Sequence, residues 1–117
     1  IKGDITPCTI TELVEKVTTV FHCDPLVFSD GPEEIRRIAV CSGGAQRHVM
    51  DAVSAGMDAY ITGEVSEYVM HQAREEKIHF ISAGHHATER LGIQALGEHI
   101  EKKLGLGVTF VDIPNPV

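Results

Sequence analysis

Ala59-Tyr60-Ile61-Thr62-Gly63-Glu64 is four strand-forming residues closed by a glycine and a carboxylate. A short apolar run bounded in this way reads as a strand buried on both faces. The pattern recurs on either side. Ile38-Ala39-Val40-Cys41 closes on Ser42-Gly43-Gly44, and the run from Ile78 to Ala83 closes on Gly84. Helical spacing follows each strand. Val49, Met50, Ala52 and Val53 lie on the inner side of a helix that stops at Gly56. Val65, Tyr68, Val69, Met70 and Ala73 are the apolar positions of a helix from Glu64 to Lys77. Leu91, Ile93, Ala95, Leu96, Ile100 and Leu104 mark the longest helix, from about Ala87 to Leu104. Val108 to Asp112 reads as a closing strand, stopped by Pro114 and Pro116. Such alternation predicts an α/β fold, a mixed or mostly parallel sheet flanked by helices. Right-handed crossovers put the three strand ends on one edge. Ligands of open α/β sheets bind at that edge. Ser42, Glu64 and His85 are therefore expected close together.

Outward from this frame, Thr9 and Glu12 form a capping box. Ile10, Leu13, Val14, Val17, Val20 and Phe21 then recur at helical spacing. Leu26-Val27-Phe28, set between Pro25 and Gly31-Pro32, reads as an edge strand and a turn. The chain of 117 residues reads as a single α/β domain or a fragment of something longer that opens on Ile1. Hydrophobic residues at 43% and charged residues at 23% exclude general disorder. Ten Lys and Arg against seventeen Asp and Glu give a net charge of −7, which argues against a nucleic-acid-binding surface. No apolar run approaches a membrane span, so no membrane partner is expected. Cys8, Cys23 and Cys41 form no CxxC pair and read as reduced thiols of a cytoplasmic protein, with one disulfide plus one free thiol as the alternative.

Three clusters could carry chemistry. In Gly84-His85-His86-Ala87-Thr88-Glu89, either His85 or His86 shares a helix face with Glu89 and could reach one metal ion. Imidazole and carboxylate suit Zn, Fe, Mn, Ni or Co. The alternative is a helix start with Glu89 in the first turn and solvated histidines. Glu64, after Gly63, is a metal ligand, a residue that orients one, a general base, or an acidic residue in a helix's first turn. Gly43 and Gly44 could present backbone N–H groups to a phosphate, or serve only a tight turn. His71 and Glu75 read as a surface pair. Cys41 has no base partner that the sequence identifies. His22, His48, His79 and His99 read as structural or surface residues.

Several blocks resemble the C-terminal half of the NIF-three-like proteins, in the bacterial YbgI-type branch labelled dinuclear-metal-centre proteins or GTP cyclohydrolase type 2 homologues. They are Cys41-Ser-Gly-Gly-Ala-Gln46, Asp58 to Ser66, His71 to Glu75, Ala83 to Arg90, and Phe110 to Pro116. They extend over residues 38–117, while the first 37 residues match only loosely. The resemblance implies one half of a two-lobed fold, six subunits in a ring, and two divalent metal ions in a cleft. It places two of the ligands on His85 and Glu89 and the remainder on an N-terminal half. A chain without that half should bind metal weakly and expose an apolar face, and His86 should line the cleft. The functional expectation is a dinuclear metal-binding protein, a metal-dependent hydrolase acting on a phosphate or nucleotide-like compound. The alternative is a non-enzymatic, ring-forming assembly or partner-binding protein.

Overall fold

The computed structural model describes residues 1–115, so Pro116 lies outside the described residues. The elements run β1 (Lys2–Cys8), α1 (Ile10–Phe21), β2 (Leu26–Ser29), β3 (Ile35–Cys41), α2 (Val49–Ser54), β4 (Ala59–Thr62), α3 (Glu67–Glu76), β5 (His79–Ser82) and α4 (His85–Leu104). A single 3-10 turn, Gln46–His48, leads into α2. The five strands form one sheet in the order β1-β3-β4-β5-β2. β3, β4 and β5 are parallel, with Cys41 level with Thr62 and Thr62 level with Ser82. The edge strands β1 and β2 run antiparallel to β3 and β5.

The central strand β4 is buried along its whole length, which explains its apolar composition. Its alternating side chains feed two cores. Tyr60 joins Val49, Val69, Ala73 and Phe80 beneath α2 and α3. Ala59 and Ile61 join Leu13, Val17, Ile35 and Ile81 beneath α1. The Thr9–Glu12 capping box starts α1 as expected: Glu12 N–H donates to Thr9 Oγ1 and Thr9 N–H donates to Glu12 Oε2. The expected edge strand at Leu26–Phe28 is β2.

One strand was not foreseen, and three expectations are corrected. β1 carries no strand signal in the sequence, because only Cys8 of its seven residues is buried; pairing with β3 holds it extended. β3 begins at Ile35, three residues before Ile38, and Ile35 is fully buried. α3 begins at Glu67, so Glu64 is not in a helix's first turn; the Gln46 amide donates to both Glu64 and Ser66 and holds 64–66 outside the helix. Val108 to Asp112 joins no strand of this sheet. The tail lies instead along α4. The apolar positions of α4 are also largely unburied: Leu91, Ile93, Leu96 and Leu104 are exposed, as are Val65 and Tyr68. Cys8, Cys23 and Cys41 are free thiols. Among the described residues, no helix is long and apolar enough to cross a membrane.

Candidate metal-binding edge

The parallel register brings Gly43, Gly63 and Gly84 side by side at the C-terminal edge of the sheet. Gly63 N–H donates to Gly43 O (3.0 Å), and Gly84 N–H donates to Gly63 O (3.0 Å). Thr62 Oγ1 also donates to Gly43 O, at 3.1 Å. Gly84, at φ 91°, turns the chain sharply into α4, a conformation suited to glycine. The helix therefore starts at His85 rather than Ala87, which makes His85 and Glu89 an i,i+4 pair on one face.

His85 sits between two carboxylates. Its Nδ1–H donates to Glu64 Oε1 at 2.5 Å, and its Nε2 lies 3.3 Å from Glu89 Oε1. Glu64 is held in turn, since Gln46 Nε2–H donates to Glu64 Oε2 at 3.3 Å. The hydrogen bond from His85 lowers the Glu64 carboxyl below its ordinary value. The bond to Glu64, and then the negative charge of Glu89, hold the His85 proton more tightly than usual. All three side chains stay open to solvent: 38% for His85, 40% for Glu64 and 57% for Glu89.

The glycines give the cluster its space. A Cβ on Gly43 would lie 2.7 Å from Glu89 Oε1 and 3.2 Å from His85 Nε2. A Cβ on Gly44 would lie 3.2 Å from Glu64 Oε1. Gly43 N–H donates to Thr88 Oγ1 at 2.9 Å, and the same hydroxyl donates back to Gly84 O. Gly43 and Gly44, Glu64, His85 and Glu89 are thus brought together. His86 is placed apart from them, with its Nε2 3.9 Å from Asp112 Oδ1 in the tail. Sequence reasoning passed over Gln46 and Thr88. Gln46 sits two residues after Gly44 and Thr88 three after His85, inside motifs already singled out, but their partners depend on the register of strands far apart in sequence. His71 and Glu75 take no part in this cluster.

A ring nitrogen and a carboxylate oxygen 3.3 Å apart, facing a residue without a side chain, fit two ligands of one transition-metal ion. Glu64 is not a third, because its Oε1 is taken by the imidazole. Among the described residues, no three His, Cys, Asp or Glu side chains are placed to hold an ion together.

Comparison with known proteins places this arrangement in context. A family model described as Duf34/NIF3 (NGG1p interacting factor 3) matches residues 1–116. The Haemophilus influenzae protein named "GTP cyclohydrolase 1 type 2 homolog" is 50% identical over 111 residues, covering 94% of this chain and 44% of that protein. The solved structure titled "protein ybgI, unknown function" superposes with a TM-score of 0.91 at 46% identity, over 99% of this chain and 48% of that one. The solved structure of TTHA1606 from Thermus thermophilus superposes with a TM-score of 0.87 at 25% identity, over 99% and 46%. The chain thus spans about half the length of the relatives it matches.

Proposed function

The chain belongs to the Duf34/NIF3 family, and on that premise we propose that a family-length protein carrying it binds two divalent metal ions, with His85 Nε2 and Glu89 Oε1 as ligands from this chain. The observation that carries this reading is the His85 ring fixed at Nδ1 by Glu64 and facing Glu89 with Nε2. Zn, Fe, Mn, Ni or Co matches the donors. Two protein ligands are fewer than such sites use, so the remaining ligands come from outside these residues, and the 117-residue chain alone binds weakly. Bound ions of this kind activate water and stabilise charge on a phosphoryl or carbonyl oxygen.

The work of this chain's own residues is positional. Glu64 accepts a hydrogen bond from His85 Nδ1–H, which fixes the tautomer and leaves the Nε2 lone pair for a cation. Both Glu64 oxygens are engaged, by His85 and by Gln46, so Glu64 serves to orient His85 rather than to take a proton. Gly43 acts through close approach, since its N–H is already bonded to Thr88. A phosphate-bearing substrate would meet the carboxylates of Glu64 and Glu89 at this loop, so its anchors have to be cations.

The activity that follows is hydrolysis of a phosphate or nucleotide-like compound. The test is turnover of a nucleotide and phosphoester panel by the family-length protein. Turnover that vanishes with chelator and returns with metal supports the enzyme. Glu64→Gln should weaken metal affinity about 10- to 100-fold. Metal binding with no turnover across the panel would instead favour a ring-forming, non-enzymatic assembly.

A further inference from the structure

Of the 20 residues of α4, Thr88 alone is buried, and it is polar. A valine has nearly the same shape and would bury as readily, so the hydroxyl needs a reason of its own. It has three partners. Gly43 N–H donates to Thr88 Oγ1 at 2.9 Å. The hydroxyl proton is shared between Gly84 O (2.9 Å) and His85 O (3.0 Å), two carbonyls at the start of the helix. Among the described residues, the bond from Gly43 is the one hydrogen bond between the loop 42–45 and α4. The other side of Gly43 belongs to the end of β4. Its carbonyl accepts from Gly63 N–H at 3.0 Å and from Thr62 Oγ1 at 3.1 Å.

His85 and Glu89 are held in different ways. The His85 ring is fixed by its hydrogen bond to Glu64. Glu89 is 57% exposed, and its 3.3 Å approach to His85 Nε2 is its one polar contact among the described residues. What confines the carboxylate is the Gly43 backbone, where a Cβ would lie 2.7 Å from Glu89 Oε1. The place of that backbone relative to α4 is set in turn by Thr88. A carboxylate with free rotamers loses entropy when it is gathered round an ion, and a wall that removes those rotamers beforehand lowers the cost. We propose that Thr88 is a positioning residue for the metal pair. By holding the Gly43 loop against Glu89, it sets the affinity with which His85 and Glu89 take a divalent ion. The inference rests on the ligand roles proposed above and adds to them a residue that touches no ion. Thr88→Val would leave Gly43 N–H, in a buried residue, without its acceptor, so the loop must shift to satisfy it. Thr88→Ser keeps the hydroxyl and the bond.

The test is Zn²⁺ titration of the metal-free family-length protein against a chromophoric chelator, together with hydrogen exchange at the Gly43 amide. Thr88→Val should weaken Zn²⁺ binding about 10-fold, and Thr88→Ser should restore it to within about threefold of the parent. His79→Leu is the control for stability alone. It removes two hydrogen bonds at the opposite end of β5 and should leave Zn²⁺ affinity at the parent's value. In the parent, the Gly43 amide should exchange about 100-fold slower than an open-chain amide. Exchange at the open-chain rate would overturn the proposal even if the valine variant does not fold. Equal weakening by His79→Leu would overturn it too, since the loss would then report stability. If Thr88→Val keeps the parent's affinity while His85→Ala loses the ion, the role of Thr88 alone is refuted. If His85→Ala also keeps the ion, the ligand reading has failed and this proposal with it.

Discussion

Gly63→Ala perturbs the point where the three strand ends touch. A Cβ there would lie 2.7 Å from His85 Cα and 2.8 Å from both Gly43 O and Gly84 O. All three neighbours are backbone atoms, so no side chain can swing aside. Relief requires prising β4 from β3 and β5, which strains the Gly63–Gly43 and Gly84–Gly63 hydrogen bonds. Overpacking of this kind costs about 2 kcal/mol, within the usual range for added methyl groups. With a urea dependence of about 1.5 kcal/mol per molar, the midpoint should fall by roughly 1.3 M. Gly92→Ala is the control, because a Cβ there meets nothing within 4 Å and the residue is inside a helix. It should raise stability by about 0.5–1 kcal/mol. Urea melts of the 117-residue chain followed by circular dichroism give both midpoints. A Gly63→Ala midpoint equal to the parent's would refute the packing of this edge.

Two further outcomes test the body of the fold. Burial pushes the Tyr60 phenol up to about 12, while its hydroxyl donates to Ala45 O at 2.8 Å. The folded state therefore holds this proton more tightly than the unfolded chain, so the stabilisation is whole below about pH 10 and is lost as pH rises from there towards 12. In a Tyr68→Phe variant, where Tyr60 is the only tyrosine, ultraviolet titration should show no tyrosinate at pH 10.5; half-ionisation at pH 10 would contradict the burial. His79 is buried, accepts from Gly31 N–H at Nδ1 (3.2 Å) and donates from Nε2 to Pro32 O (2.8 Å). His79→Leu strands both backbone groups and should cost about 1–3 kcal/mol for each, read as a lower urea midpoint. A midpoint within error of the parent's would show that these bonds do not hold the Gly31–Pro32 turn.

The parallel core was legible because β3, β4 and β5 are apolar runs closed by glycine, a pattern that buried parallel strands require. The meeting of the strand ends that carry Glu64 and His85 followed from the handedness of the crossovers. The Thr9–Glu12 cap was legible because its contacts lie within one helical turn. β1 was hidden, since an exposed strand carries no hydrophobic period and its partner β3 lies some 35 residues away. The His85–Glu64 bond spans 21 residues and depends on strand register. Tail residues 108–112 have a strand's composition, yet composition does not supply a neighbour to pair with. The start of α3 was misplaced because the Gln46 amide, from another loop, competes for Glu64 and Ser66.

The role proposed for His85 and Glu89 is that of metal ligands. Its most direct test is metal content per chain by elemental analysis of the family-length protein, comparing the parent with a His85→Ala/Glu89→Ala variant of unchanged circular dichroism. Two equivalents are expected in the parent and a clear loss in the variant. A variant that keeps both equivalents would contradict it and leave the motif as a helix start.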